Sequence, residues 1–486
     1  MSQIQINNLN FIYPGQTEYV FKDVNLTLDT DWKLGLIGRN GSGKTTLLKL
    51  LLGELGSNGS ISKNINFEYF PYEIKNGDSL TIDIAYQIIP DLEEWRLFRE
   101  LNLINVDSSI LYRNFNTLSG GEMIKFLLTC AFLKDNKFLL IDEPTNHIDE
   151  ESKDSLIEYL KQKKAFILVS HDRKILNEII DHVLYIGKQN ITLEQGNYDS
   201  WKLNKTNKDN NEKEQNKRLK NDIAKLDTIA KKTENWSNAI EKSKKGAVDK
   251  GHVGHQAAKM MKRAKVLESR RDKKIEEKSN LLIDVDMLPD LQMKPQKASR
   301  KNLILAQNLS IFYDKKILFN NLNFELNVGE RMAIKGKNGC GKSSIVKLII
   351  GEDVPNNNGL KVMPNLKISY VPQMTDEVRG NISEYARRKN VDEGIFRAML
   401  QKLGVDKEKL DKDLSDLSEG QKKKVMIARS ISEDSEVYIW DEPLNYLDIQ
   451  SREQIEEMIL KYEPTMIFIE HDEVFIKKIA TKILNI

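Results

Sequence analysis

The chain has 486 residues, of which 40% are hydrophobic and 30% charged, which suits two or three globular domains with sizeable cores. No stretch approaches about 18 consecutive apolar residues, and Met1 to Asn10 is polar, so neither a membrane-spanning helix nor a secretory leader is expected and the location reads as cytoplasmic. The two cysteines, Cys130 and Cys340, form no zinc pattern and are too few for an iron–sulfur cluster; they read as reduced thiols.

In chain order, Lys33 to Ile37 reads as a short strand and Thr45 to Leu52 as a helix. Between them lies Gly38-Arg39-Asn40-Gly41-Ser42-Gly43-Lys44-Thr45, followed by Thr46. In this G-x-x-x-x-G-K-[ST] pattern, glycines let backbone N–H groups turn in around phosphates, the lysine neutralises the outer phosphates, and the hydroxyl serves Mg²⁺. The helix behind the loop adds its positive end. The near-continuous apolar runs Phe138 to Ile141 and Ala165 to Ser170 fit strands buried on both faces of a parallel sheet. The first ends in the carboxylate pair Asp142-Glu143, at the end of the strand where a ligand crevice opens. Asp142 would hold Mg²⁺, and Glu143 would orient or deprotonate the attacking water.

The same elements return later in the same order. Gly336-Lys337-Asn338-Gly339-Cys340-Gly341-Lys342-Ser343, followed by Ser344, repeats the phosphate loop. Leu118-Ser119-Gly120-Gly121-Glu122 returns as Leu417-Ser418-Glu419-Gly420-Gln421, Asp142-Glu143 as Asp441-Glu442, and His171-Asp172 as His471-Asp472. The offsets are 298, 299, 299 and 300, the mark of a duplicated domain.

Between the copies the composition changes. Trp201 to Asn280 holds 23 Lys and Arg against 12 Asp and Glu, a local charge of +11 in a chain whose total is +2, which leaves −9 for the rest. Leu219, Ile223, Leu226 and Ala230, then Met260, Ala264 and Leu267, recur at helical spacing around Gly246, Gly251 and Gly254. They predict a helical hairpin, Asn204 to about Lys245 and Gln256 to about Lys278, with a tip at about 246–256; about 40 residues of helix reach roughly 60 Å. A basic hairpin is the footprint of a polyanion-binding element. The domains expected are therefore 1–200, a linker over 201–300, and 301–486, with an α/β fold in each copy.

Together these motifs resemble the ATP-binding-cassette (ABC) family, and the fold implied is two ABC-type P-loop nucleotide-binding domains joined by a long α-helical hairpin. The resemblance implies ATPase activity with ATP and Mg²⁺ as cofactors. It makes Leu118 to Glu122 and Leu417 to Gln421 signature motifs, His171 and His471 switch histidines, and Asp149 and Asp448 D-loop residues. Tyr13 and Tyr313 stand where the family stacks an aromatic ring on adenine. Gln373, in Tyr370-Val371-Pro372-Gln373, matches the Q-loop and would serve Mg²⁺ beside Ser343. The first copy departs here, because Tyr69-Phe70-Pro71-Tyr72 has tyrosine at that position, which puts equal handling of Mg²⁺ and γ-phosphate in doubt. In the family two domains close head to tail, so one site would pair Lys44 with Ser418 and Gly420, the other Lys342 with Ser119 and Gly121.

The linker separates the candidate roles. A transport ATPase does not need it, whereas members of the ABC-F subfamily resemble this chain over its whole length and bind the ribosome with such a hairpin. From Lys242 to Lys274 there are 12 basic and 3 acidic residues, suited to rRNA and tRNA phosphates. Tyr72 to Ser119 spans 47 positions and Gln373 to Ser418 spans 45, which leaves no room for the extra arm of one group of housekeeping regulators. Lys250 to Arg263 resembles the tip of the Lsa and Vga resistance proteins. That resemblance implies a monomer acting on the 70S ribosome, with 23S rRNA and P-site tRNA as partners, and without DNA or membrane. Lys250, His252, Val253, His255, Lys259, Lys262 and Arg263 would form the tip near the drug site, where lincosamide, pleuromutilin or streptogramin A antibiotics bind. A housekeeping ABC-F factor and the ATPase of a transporter stay open as alternatives.

Overall fold

The computed structural model describes residues 3–16, 18–62, 65–145, 148, 150–187, 191–243, 269, 273, 289–313, 316–337, 339–352, 354 and 357–486. The tip residues Lys250, His252, Val253, His255, Lys259, Lys262 and Arg263 lie outside these, as do Asn338 and Asp149, and the Tyr313 side chain is likewise not described. The chain divides into a unit formed by 1–199 with 288–486, and a second unit, 200–287.

The first unit contains both copies. In copy one, Asn66–Phe70, Lys137–Asp142, Phe166–Val169, Lys33–Gly38 and His182–Ile186 form a parallel sheet in that spatial order, with Ile191–Gln195 antiparallel at one edge. Copy two repeats it with Ile368–Val371, Val437–Asp441, Met466–Ile469, Arg331–Lys335 and Lys482–Asn485, all parallel. The central strands Phe166–Val169 and Met466–Ile469 are wholly apolar and buried, as expected of a sheet covered on both faces. Each copy adds a three-stranded antiparallel sheet, Phe21–Asp29, Gln3–Phe11 and Asn58–Ser62 in the first, and Lys316–Asn327, Asn302–Tyr313 and Asn357–Val362 in the second. In both parallel sheets a single strand separates the phosphate-loop strand from the one that ends in Asp-Glu, so loop and carboxylates lie together at the carboxyl ends of the strands.

The linker begins as one helix, Tyr198–Ser243, of 46 residues. Within it Glu212, Asn216, Leu219 and Ile223 are half-covered at helical spacing, whereas the residues between them are mostly exposed. The sequence reading carried the linker to residue 300, but Leu291 and Met293 are buried in the core of copy two. Their apolar side chains anchor the returning chain about ten residues earlier, and Gln454 clasps the Pro289 carbonyl at 2.9 Å.

Candidate functional site: two phosphate loops and their carboxylates

Helix Lys44–Leu52 starts on Gly43 at φ 101° with no side-chain cap, and helix Lys342–Ile350 starts on Gly341 at φ 105°, also uncapped. Their first N–H groups therefore point out unpaired, the arrangement that receives an oxyanion. The positive φ requires glycine, and a Cβ on Gly43 would also stand 2.8 Å from Val20 Cγ1. Gly41 and Gly339 turn the loops in the same way, at φ 84° and 77°. Lys44 Nζ donates to the Gly38 and Arg39 carbonyls at 2.8 and 3.1 Å, and Lys342 Nζ to Gly336 and Lys337 at the same two distances. Ser42 Oγ is buried without a partner; Cys340 stands at the matching place in the second loop. An unpaired hydroxyl among free amides fits a phosphate.

Thr45 Oγ1 donates to Asp142 Oδ2 at 3.0 Å, and Ser343 hydrogen-bonds Asp441. The other Asp441 oxygen, Oδ1, is buried and unpaired, which fits a divalent cation bound to a nucleotide there. Burial raises the pKa of both aspartates, and the Thr45 and Ser343 hydroxyls oppose that rise. Tyr13 donates to or accepts from Thr46 Oγ1 at 2.9 Å and meets the Phe11 ring edge-on, so its ring borders the phosphate loop. Ser344 lines the second site together with Ser343.

The two catalytic-position glutamates share a backbone conformation that no motif announces. Glu143 has φ 50° and Glu442 φ 46°, in the left-handed region, and their N–H groups bond Val169 O at 2.9 Å and Ile469 O at 3.0 Å. Strain of this sort costs on the order of 1–3 kcal/mol and persists where the surroundings over-determine it. Here it aims each carboxylate past the strand end into the crevice.

Beyond the backbone the glutamates differ. Glu442 Oε2 accepts from Gln373 Nε2 at 2.9 Å and Asn445 Nδ2 at 2.6 Å, with His471 Nε2 3.6 Å from Oε1. Burial alone would raise its pKa, but His471, Gln373 and Asn445 hold it below the ordinary glutamate range. Glu143 accepts the His171 N–H at 3.3 Å, and His171 Nε2 lies 3.2 Å from Oε1. Burial pushes this carboxyl up to about 8; Lys44 opposes and Asp142 reinforces the rise. Burial, then Lys44 and Arg452, push the His171 imidazole well below its usual range. Tyr72, at the Q-loop position of copy one, makes no hydrogen bond to Glu143. It lies beside Glu68, and the Lys134 ammonium sits 5.1 Å over its ring. The difference flagged in the sequence at Tyr72 is therefore a difference in what feeds the glutamate.

Each signature serine caps a helix. Ser119 and Glu122 form a reciprocal capping box opening Gly120–Leu133, and Ser418 and Gln421 open Glu419–Ser432 in the same way. The Lys44 loop lies against copy two. Asn40 N donates to Asp448 Oδ2 at 3.2 Å, Asn40 Nδ2 to the Tyr446 carbonyl at 2.8 Å, and Arg39 Nε to Gln450 at 2.8 Å. A Cβ on Gly420 would be 2.5 Å from that carbonyl and 3.1 Å from Asn40 Nδ2, so the signature glycine admits the loop of the other copy. A Cβ on Gly121 would likewise be crowded, 2.7 Å from Ser152 Oγ of its own copy. At the other half Lys337 pairs with Glu151 at 3.6 Å. Arg173 forks onto the fully buried Glu456 across the interface. A cavity of about 460 Å³ opens between the copies, lined by Lys342, Gln373, Glu442 and His471 from one and Glu143 and His171 from the other.

Motif reading found both loops, both carboxylate pairs and both signatures. It missed Arg39 against Gln450, the Lys424–Asp448 pair at 3.0 Å, and the three carbonyls held by Lys423. Lys422-Lys423-Lys424 reads in sequence as a solvated run, and only the helix facing buries its last two members.

Fold and site define a tandem P-loop nucleotide hydrolase whose two domains meet head to tail. A family model described as ABC transporter matches residues 21–146 and 319–445, and the chain belongs to this family of ATP-binding, ATP-hydrolysing proteins. Among described residues no helix is long and apolar enough to cross a membrane. The chain is 28% identical over 488 residues to the ribosome protection protein VmlR of Bacillus subtilis, covering 98% of this chain and 85% of that one. It is 26% identical over 547 residues to ABC transporter F family member 2 of Arabidopsis thaliana, covering 100% and 76%. In fold it matches the archaeal ribosome recycling factor aABCE1, solved with the ribosomal stalk protein aP1, at a TM-score of 0.63 with 20% identity, covering 98% and 87%.

Proposed function

We propose that this ATPase is an ABC-F ribosome protection factor. It enters the E site of a drug-stalled 70S ribosome with ATP bound, displaces the P-site tRNA with its linker, and dislodges lincosamide, pleuromutilin or streptogramin A antibiotics from the peptidyl-transferase centre. The observation that carries this reading is that the similarity to VmlR covers 98% of the chain, and so takes in the linker as well as the cassettes. The +11 charge of residues 201–280 supports it, since rRNA and tRNA present phosphate to any approaching surface.

In this reading ATP and Mg²⁺ supply the energy of closure and the neutralisation of the outer phosphates. The glycine loops and Lys44 or Lys342 bind phosphate, with Thr45 and Asp142, or Ser343, Gln373 and Asp441, on the cation side. Glu143 and Glu442 orient and deprotonate water, and His171 and His471 hold them in place. Ser119 with Gly121, and Ser418 with Gly420, close each site from the opposite cassette. Hydrolysis then reopens the pair and releases the ribosome.

The test is co-sedimentation of the Glu143→Gln, Glu442→Gln double variant with 70S ribosomes. ATP-dependent trapping, together with drug tolerance that is lost when 246–256 is replaced by a short Gly-Ser turn, is the expected result. Trapping without drug tolerance would make it a housekeeping ABC-F factor. No trapping by folded, nucleotide-loaded protein would overturn the ribosomal reading in favour of a transport ATPase.

A further inference from the structure

Lys423 lies in helix Glu419–Ser432, five residues beyond the signature serine, and is 1% exposed. Its ammonium spends its three protons on backbone oxygens, donating to Pro372 O at 2.9 Å, Gln373 O at 3.2 Å and Asp441 O at 3.2 Å. Burying an ammonium costs several kcal/mol unless its donors are satisfied, so the three carbonyls and the cation hold one another in place. The segment so held carries the Gln373 side chain, whose amide reaches Glu442, and the strand end so held is the one from which Glu442 projects at φ 46°. Copy one shares the strand end and the left-handed glutamate but lacks the lysine and the glutamine. Ile124 stands at the matching place in helix Gly120–Leu133, half-buried and without a donor, and Tyr72 stands where Gln373 would be.

We propose that Lys423 is a positioning residue for ATP hydrolysis at the Lys342 site: it pins the Pro372–Gln373 turn to the end of the Val437–Asp441 strand and so holds the Gln373 amide against Glu442. Its three donors are taken up by backbone carbonyls, so it acts through Gln373. The inference rests on the ATPase activity of the chain and is independent of the ribosomal reading.

The experiment uses the full chain carrying Glu143→Gln, so that turnover reports the Lys342 site. Lys423→Met lowers kcat on the order of 10- to 100-fold, the cost of a catalytic group displaced by about 1 Å, with KM for ATP changed less than about 3-fold. Gln373→Ala lowers kcat comparably, and the Lys423→Met, Gln373→Ala double variant is no slower than the worse single variant, because both remove one interaction. In nucleotide-free protein, amide exchange over 371–375 speeds up in Lys423→Met while the cassette strands keep their protection. Additive losses in the double variant, a raised KM with unchanged kcat, or unaltered exchange over 371–375 would each overturn the proposal. If Lys423→Met does not fold, Lys423→Gln, which keeps a donor for one carbonyl, replaces it and gives a smaller loss under the same criteria.

Discussion

The two halves of this protein have the same motifs in the same order on the same fold, yet the glutamates that follow their Asp-Glu strands sit in different surroundings. Glu442 receives amide donors from Gln373 and Asn445 and is held below its ordinary range, whereas Glu143, beside a histidine kept neutral, is pushed up to about 8. A carboxylate that must take a proton from water works best when ionised and aimed, so faster hydrolysis is the expected outcome at the Lys342 half. The Lys44 loop is stitched to the opposite cassette through Asn40, Arg39 and Asp448. A duplicated fold can thus come to differ between its halves through a few side chains that change what feeds one glutamate.

The largest expected effect is catalytic. Glu442→Gln should lower steady-state ATP turnover about 100-fold or more, the range of a lost general base, whereas Glu143→Gln should lower it less than about 10-fold. Phosphate-release assays on the two single variants decide this, and equal losses would break the comparison. Next comes the stitched interface. Asp448 sits 1% exposed between Lys424 and the Asn40 N–H, and Lys424 holds its carboxyl well below the usual range against the pull of burial. Asp448→Ala leaves Lys424 buried without its partner, which costs about 3 kcal/mol or more and lowers Tm by several degrees in calorimetry. Asp448→Asn should cost less, since the amide oxygen can still accept.

A smaller effect tests the origin of the difference. Gln373→Tyr installs the residue of copy one and should reduce turnover about 10-fold while nucleotide affinity, read by a fluorescent ATP analogue, stays within about 3-fold. The smallest is a pH effect on the nucleotide-free protein. Because the folded Glu143 carboxyl protonates near 8 against an ordinary 4.5, the folded state holds more protons than the unfolded chain between those values, and stability falls as pH rises through them. Tm of the wild type should therefore drop from pH 5.5 to 8 by about 2 °C more than Tm of Glu143→Gln. Glu442→Gln should not flatten the profile, since that carboxyl is held down rather than up.

Much of this was legible in the residues themselves. The phosphate loops, carboxylate pairs and signatures are local patterns whose chemistry depends on spacing, and their repetition at offsets of 298 to 300 identified two α/β cassettes without any coordinates. Tyr72 already stood out as a departure, and the charge of residues 201–280 marked the linker. What the tertiary structure decided were matters of surroundings. The ionisation of Glu143 and Glu442 depends on burial and on donors brought from elements as distant as Gln373 and His171. The left-handed φ of both glutamates is imposed by neighbouring strands. The return of the chain into the second core at Leu291 and Met293 depends on an apolar cluster that only folding assembles. Lys423 makes the distinction plainest. By sequence it is one lysine in a run of three, and its role arises because helix Glu419–Ser432 turns that position, and not Lys422, onto three backbone carbonyls in a place that water does not reach.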